Sequence, residues 1–382
     1  MAGLKSLKTF PFKSMLVILG VFLMIAVILF AERSGIQYTE KNRKVAYLSQ
    51  EEVVTEQMAA KSLPKTCLVL RNSEDEASVA AWEQFQQIFK DMKVGTDVVD
   101  LQSASSIPDY HAYETVVVLL SDVSPLKENL MELCDWVSEG GNVLFALTLQ
   151  KTAYSSVIEQ KLGIVSSGYD NIRVDSIYFE PEFMLGGGQA YAITDPYDSA
   201  WAVQLSENAK VYARVNEKNG QPVIWENQYG KGKFVVDNFG LYEKVVRGFY
   251  AASYSLLTDV GVYPDDLLDE DRGAALGWEK MKGNLADYMD WLVDSAPSLR
   301  QLTGSELSGA IQRYGAVTFT KTVTERSIEL KLKNFYDEAY FMVRINEGTP
   351  GEVSGGKLTH LTGNLYLLQA KKPTVTIEKL ED

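Results

Sequence analysis

In the stretch GVYPDDLLDEDRGAALGWEK, five of the seven residues from Asp265 to Asp271 are carboxylic acids: Asp265, Asp266, Asp269, Glu270 and Asp271. Carboxylates at that density can hold a metal ion, exchange protons, or lie in water. A Ca²⁺ loop needs spaced oxygen ligands with a glycine at the bend, as in D-x-[DN]-x-[DN]-G, and DDLLDEDRG lacks that spacing. A catalytic transition-metal site wants imidazoles beside the carboxylate. The chain has two histidines, His111 and His360, and neither has a partner at metal-ligand spacing. The run therefore reads as a solvated linker and helix start. Acids suit the positive end of a helix dipole, and Pro264 suits the N1 position or the residue before it.

Other stretches that suggest chemistry are better read as turns. YGKGK (Tyr229 to Lys233) lacks the G-x-x-x-x-G-K-[ST] spacing of a phosphate loop and joins two strand patterns, so a hairpin is expected. Gly186 to Gly188 precede no helix and read as a loop. No G-x-S-x-G or G-x-C-x-G elbow is present. Cys67 and Cys134 sit in apolar patterns, TCLVLR and LMELCDWV, and read as small buried hydrophobes. No catalytic residue, metal ligand or cofactor is assigned.

Open parallel sheets bind ligands beyond the carboxyl ends of their strands. The polar residues expected there are Arg71 and Asn72 after the first strand, Asp122 after the third and Thr148 after the fourth. Solvated loop ends are the bland alternative for all four. Trp201, Trp225, Tyr229 and Tyr242 have rings able to stack on sugars. With 20 tyrosines in the chain, core packing accounts for most aromatics. Arg71, Asn72, Asp122, Thr148 and Trp225 form the candidate ligand-binding set.

These residues depend on an alternation of strands and helices. TCLVLR reads as a buried strand, followed by the amphipathic helix SVAAWEQFQQIFKDM with Trp82, Phe85, Ile88 and Phe89 on one face. VGTDVVDL, ETVVVLLSD and GGNVLFALT add strands, with a helix from about Pro125 to Glu139 between the last two. Apolar strands alternating with such helices imply a parallel sheet covered on both faces. From about Leu162 to Phe239 the pattern turns to strands, and LYEKVVRGFYAASYSLLTDVG reads as a closing helix. Beyond the acidic run, Trp278, Met281, Leu285, Tyr288, Met289 and Leu292 recur at helical spacing up to Pro297. From Val317 onward the alternation has period two, as in Ile328, Leu330 and Leu332, which implies a small β-sandwich.

Composition bounds the function. The 382 residues are 46% hydrophobic with a net charge of −14. That content suits packed cores and argues against nucleic acid, which requires clustered Lys and Arg. Lys5, Lys8 and Lys13 precede eighteen uncharged residues, Ser14 to Ala31. As a helix that stretch is about 27 Å long, close to the thickness of a bilayer's hydrocarbon core. The apolar run exceeds that of a signal peptide and FAERSGI is a poor cleavage site, so an uncleaved anchor is expected. By the positive-inside rule residues 1–13 are cytoplasmic and the rest extracytoplasmic, in the cell membrane with a single pass.

Two long stretches carry a resemblance: Thr194 to Pro264 (TDPYDSAWAVQLSENAKVYARVNEKNGQPVIWENQYGKGKFVVDNFGLYEKVVRGFYAASYSLLTDVGVYP) and Gly277 to Gly315 (GWEKMKGNLADYMDWLVDSAPSLRQLTGSELSGAIQRYG). With the anchor and the alternating domain, the chain resembles the bacterial family called domain of unknown function 2194. That resemblance implies a first domain like a class I glutamine amidotransferase without its catalytic Cys. It also implies a polysaccharide-deacetylase-like barrel after the position of Pro264, a closing β-domain, and a link to secreted polysaccharide of the Pel type. This chain departs from the pattern: it has no H-x-x-x-H, and no apolar strand precedes Asp265. Pro264 and Asp265 then flank a segment that other members possess, and no deacetylase residue carries over.

The expected fold class is α/β. A transmembrane helix (14–31) and stalk (32–64) lead to an amidotransferase-like or flavodoxin-like open parallel sheet domain (65–260). A short helical segment with the acidic linker (261–315) and a C-terminal β-sandwich (316–382) follow. The expected function is a membrane-anchored extracytoplasmic binding or scaffold protein, non-catalytic as it stands, for assembly or modification of a secreted polysaccharide. Its expected partners are the membrane, polysaccharide and exopolysaccharide-synthesis proteins. The alternatives are an enzyme related to polysaccharide deacetylases or hydrolases, and a structural subunit of a membrane complex that binds no sugar.

Overall fold

The structure, a computed structural model, describes residues 56–239, 243–263 and 313–380. The expected anchor (14–31), most of the stalk, the acidic run and the helical repeat up to Pro297 lie outside the described residues. No helix among the described residues is long and apolar enough to cross a membrane.

The fold is mixed α/β, with a large central sheet and two smaller C-terminal sheets. The chain enters through a short helix, α1 (Glu56–Lys61), and β1 (Lys65–Arg71). It continues through α2 (Glu76–Asp91), β2 (Gly95–Asp100), β3 (Thr115–Leu119), α3 (Asn129–Glu139), β4 (Asn142–Phe145) and the single turn α4 (Ser155–Ile158). A long ribbon of β5 (Ile164–Phe179) and β6 (Ala190–Leu205) follows, then β7 (Lys210–Val215), β8 (Pro222–Tyr229), β9 (Gly232–Asp237) and α5 (Glu243–Ser255). These nine strands make one sheet in the order β2-β1-β3-β4-β9-β8-β7-β5-β6.

The expectation of an open parallel sheet is corrected in its second half. β2, β1, β3, β4 and β9 run parallel, whereas β8, β7, β5 and β6 extend the same sheet antiparallel. The reason lies in the connections. Parallel neighbours require a crossover, such as α2 between β1 and β2 or α3 between β3 and β4, whereas the strands after Gly163 are joined by turns and loops with no helix between them. YGKGK is such a turn: Tyr229 pairs with Gly232 across Gly230 and Lys231. Gly230 has φ +63°, and a Cβ there would lie 2.3 Å from the Ser138 carbonyl oxygen, so a side chain is excluded twice over.

Both faces of the parallel half are covered, and strand side chains sort between them by alternation. Val69, Val117, Leu144 and Val235 face α2 and α5, where they meet Phe85, Ile88, Phe89, Phe249 and Tyr250. Leu68, Val116, Val143 and Phe234 face α3, where they meet Leu133, Trp136 and Val137. Each large apolar side chain so buried contributes roughly 2 kcal/mol. Cys67 and Cys134 are buried free thiols, one in each core. Burial pushes Cys67 up to about 12 and Cys134 to about 11, so neither is a nucleophile.

Residues 56–64 pack on the domain, although the sequence places them in the stalk. Ala59 and Leu63 are buried, and the Pro64 carbonyl lies against Gly95. Ala59 on the helix and Leu63 just beyond its end bury apolar surface against the domain and so dock the segment.

The C-terminal region begins earlier than residue 316. β10 (Val260–Tyr263) pairs antiparallel with β13 (Ala339–Ile345), and β16 (Leu365–Ala370) and β15 (Gly356–Thr362) complete that four-stranded sheet. The second sheet has the order β11-β12-β17-β14, from β11 (Thr318–Val323), β12 (Ser327–Lys333), β17 (Thr374–Leu380) and β14 (Thr349–Ser354). Ile328, Leu330, Val343, Leu368, Val375 and Ile377 form the core shared by the two sheets. Met342 and Leu365 instead join the core beneath α2 and α5, so the two regions share buried surface.

Candidate functional site

The carboxyl edge of the parallel strands gathers four of the five expected residues. Arg71 ends β1 and Asn72 follows it; Asp122 lies beyond β3 and Thr148 beyond β4, all partly buried. Arg71 Nη2 donates to Asp100 Oδ2 at 3.3 Å, and the Ser73 amide donates to Asp100 Oδ1 at 3.1 Å. Burial works to raise the Asp100 carboxyl, but its hydrogen bonds to Ser73 and Gln102, with Arg71 beside it, hold it below its ordinary value. Asn72 Oδ1 accepts from the Glu74 amide (2.9 Å), and Asp122 Oδ1 accepts from the Ser124 amide (2.8 Å).

The sequence reading missed Asp100 and three further partners at this edge. Asp75 caps α2 by accepting from the Ala77 amide at 3.0 Å. Its other oxygen accepts from Ser121 Oγ (3.1 Å), which in turn accepts from Gln150 Nε2 at 3.1 Å. The cap was visible, since Asp75 stands just before the apolar period of α2. The contacts to Ser121 and Gln150 were not, because they join three different strand ends. The edge is thus a connected network in which most polar groups bond one another. Arg71 Nε alone among the groups named here is buried without a partner among the described residues, and a ligand would have to displace the other bonds to enter.

An adjoining cleft is more open. Its volume, including the mouth, is about 340 Å³, although the space left between side chains is about 20 Å³, room for one water molecule. Trp225 forms the floor. It is fully buried, and its indole N–H donates to the Leu162 carbonyl at 2.8 Å. Of the residues expected to bind a ligand, it is the one placed in the core and not at a strand end.

Trp201 lies on the wall of the cleft and is partly exposed. Asn238, buried just after β9, fixes it from both sides. Asn238 Nδ2 donates to the Trp201 carbonyl at 2.9 Å, and the Trp201 amide donates to Asn238 Oδ1 at 3.4 Å. Ser167 of β5 and Glu159, just after α4, supply polar groups to the same wall. Tyr229 lies elsewhere, accepting from Lys161 Nζ at 2.8 Å, and Tyr242 lies outside the described residues. Asn238 gave no signal in the sequence, since its partner is 37 residues away.

Among the described residues, no three His, Cys, Asp or Glu side chains are grouped as a metal ion would require. His360 lies on β15, as its β pattern implied, and its Nε2 pairs with the Gly363 carbonyl at 2.8 Å.

Comparison with known proteins adds a family. No curated protein matches the sequence. Among solved structures, Gan42B, a GH42 β-galactosidase from G. stearothermophilus, is 15% identical with a TM-score of 0.35; the match covers 83% of this chain and 40% of that one. A β-galactosidase from Rahnella sp. R3 is 13% identical, TM-score 0.39, over 83% and 41%. A cytoplasmic protein from Salmonella typhimurium is 14% identical, TM-score 0.37, over 50% and 96%. The chain spans about two fifths of the length of the galactosidases, and likeness at this level carries no functional argument. The family match is of another kind, because it rests on sequence over residues 21–200 and 261–367. Much of Thr194 to Pro264, quoted above for the resemblance, falls between those two matched stretches. The chain belongs to the family described as uncharacterised protein conserved in bacteria, DUF2194.

Proposed function

We propose that the protein is a membrane-anchored, extracytoplasmic binding or scaffold protein for a secreted polysaccharide, acting without catalysis. One observation carries the reading: the partly exposed Trp201, its backbone held by Asn238, lines one cleft with the buried Trp225 and the polar Ser167 and Glu159. An indole face offers an apolar platform for the C–H face of a sugar ring, and neighbouring polar groups give its hydroxyls partners. In the same reading the central sheet derives from an amidotransferase-like domain, and any further enzymatic segment belongs to longer members of the family. The acidic surface, net charge −14, keeps such a protein soluble and away from nucleic acid.

The test is affinity electrophoresis of the protein through gels containing exopolysaccharide of the Pel type. Wild-type protein should be retarded and Trp201→Ala should lose most of that retardation, about tenfold in Kd for a lost stacking platform. Equal mobility of the two proteins, with or without polysaccharide, would refute the reading. The narrow free space in the cleft favours the second reading in that event, a structural subunit that binds no sugar.

A further inference from the structure

His111 lies at the opposite, amino edge of the sheet, in a short 3₁₀ turn (Tyr110–Ala112) before β3. Both of its ring nitrogens face carboxylates. Nδ1 lies 2.9 Å from Asp109 Oδ1, and Nε2 lies 2.9 Å from Glu139 Oε2, on the last residue of α3. Asp109 is further committed by accepting from the His111 amide at 3.0 Å. A carboxylate only accepts, so each nitrogen must carry a hydrogen for both contacts to be hydrogen bonds. A neutral imidazole has one such hydrogen and would oppose a lone pair to a carboxylate oxygen at its other nitrogen. The arrangement therefore belongs to the imidazolium.

We propose that Asp109, His111 and Glu139 form a proton-operated clamp that ties the β2–β3 connection to the end of α3 at low pH and releases it as the pH rises. The connection has a second anchor on the same helix, where Tyr110 packs on Trp136 (ring centroids 6.0 Å apart) and its hydroxyl donates to the Asn129 carbonyl. Residues 103–106, 108 and 109 of the connection are exposed. Leu101, Ile107, Tyr110 and Tyr113 pack on the core, so the clamp acts on the exposed residues between those anchors.

The electrostatic setting agrees. Asp109 and Glu139 are the charged groups that meet the ring, and the end of α3 adds the negative pole of its dipole. Asp135 lies one turn back on α3. The β8–β9 turn packed on the same helix end carries Lys231, whose amide donates to the Ser138 carbonyl at 2.9 Å. Hydrogen bonds to Glu139 and then Asp109 raise the imidazole above its ordinary value. The sign follows from that direction. The clamp is fully formed below the unfolded imidazole value, about 6.5, and is lost as the pH rises through the higher folded value.

With two histidines in the chain, the test is direct. The full-length protein is labelled with ¹³C at histidine Cε1 and titrated by NMR, with His360→Gln to assign the signals. The His111 midpoint should lie above that of the same protein unfolded in urea, and Asp109→Asn and Glu139→Gln should each lower it. Hydrogen exchange, corrected for intrinsic rates, reads the mechanical part. The Ala112 and Tyr113 amides, which donate to the Asp109 and Tyr110 carbonyls, should lose protection above the midpoint in wild type and show no such step in His111→Ala. A midpoint at or below the unfolded value, or one that Glu139→Gln leaves unmoved, overturns the clamp. An exchange profile without the step overturns its release.

Discussion

Asp237 is a carboxylic acid buried in the core. It ends β9, fully buried, with Oδ1 accepting from Ser253 Oγ of α5 at 2.6 Å. Its Oδ2 has no hydrogen-bond partner among the described residues. Burial pushes this carboxyl well above its usual range, against which the Ser253 hydrogen bond is a smaller effect. The folded protein therefore keeps a proton that the unfolded chain releases above about pH 4. Stability is retained at low pH and falls as pH rises from the unfolded value toward the folded one, by at most about 1.4 kcal/mol per pH unit. Asp237→Asn keeps the shape and the acceptor for Ser253 without the titration. Thermal unfolding at pH 5 and pH 8 should show the variant gaining on wild type as pH rises. A difference between the two proteins that stays constant with pH would show that Asp237 does not titrate as argued.

At the scale of elements, the joint between the central sheet and the C-terminal sheets turns on Arg344 of β13, 1% exposed. Its Nε donates to Ser255 Oγ at the end of α5 (2.7 Å). Nη1 donates to the Glu182 carbonyl (3.2 Å) and Asn364 Oδ1 (2.5 Å), and Nη2 to the Phe183 carbonyl. Every one of these acceptors is neutral, and no carboxylate pairs with the guanidinium among the described residues. Burial accordingly lowers its proton affinity, while Tyr263, Tyr212 and two glutamates act against that shift. Asn346 strengthens the same joint, donating to the Ser255 and Thr258 carbonyls at 2.7 Å each. Replacing Arg344 with Met would leave the Glu182 and Phe183 carbonyls, the Asn364 side-chain oxygen and the Ser255 hydroxyl without this donor. We expect a loss of about 3 kcal/mol in urea unfolding, with Arg344→Lys losing less. A change within about 0.5 kcal/mol would mean that the joint holds by apolar packing alone.

At the scale of the molecule, the proposed anchor makes a prediction about orientation. Lys5, Lys8 and Lys13 all precede the apolar run of residues 14–31, so the bulk is expected outside. The two free thiols are consistent with that compartment because each is buried beyond the reach of an oxidant. Alkaline phosphatase fused after Asp382 should be active in cells. An inactive fusion, with a cytoplasmic reporter active in its place, would reverse the orientation.

The sequence by itself determined the elements whose residues announce a period. β3, an unbroken buried run, and α2, with Phe85, Ile88 and Phe89 on one face, are legible because burial on two faces or one imposes those patterns locally. The YGKGK hairpin and the residues at the carboxyl edge were legible for the same reason, since turn chemistry and strand ends are short-range features; the family came instead from the resemblance of long stretches. Tertiary structure alone decided the direction of β5 to β8, because alternation marks a strand without saying which neighbour it pairs with. It also decided that β10 leaves the first sheet for the second, and that Trp225 is floor while Trp201 is wall. The same holds for Asp237 with Ser253, Arg344 with Ser255 and His111 with Glu139, which are 16, 89 and 28 residues apart. Polar groups carry no period, so their partners are set by which elements the apolar side chains bring together.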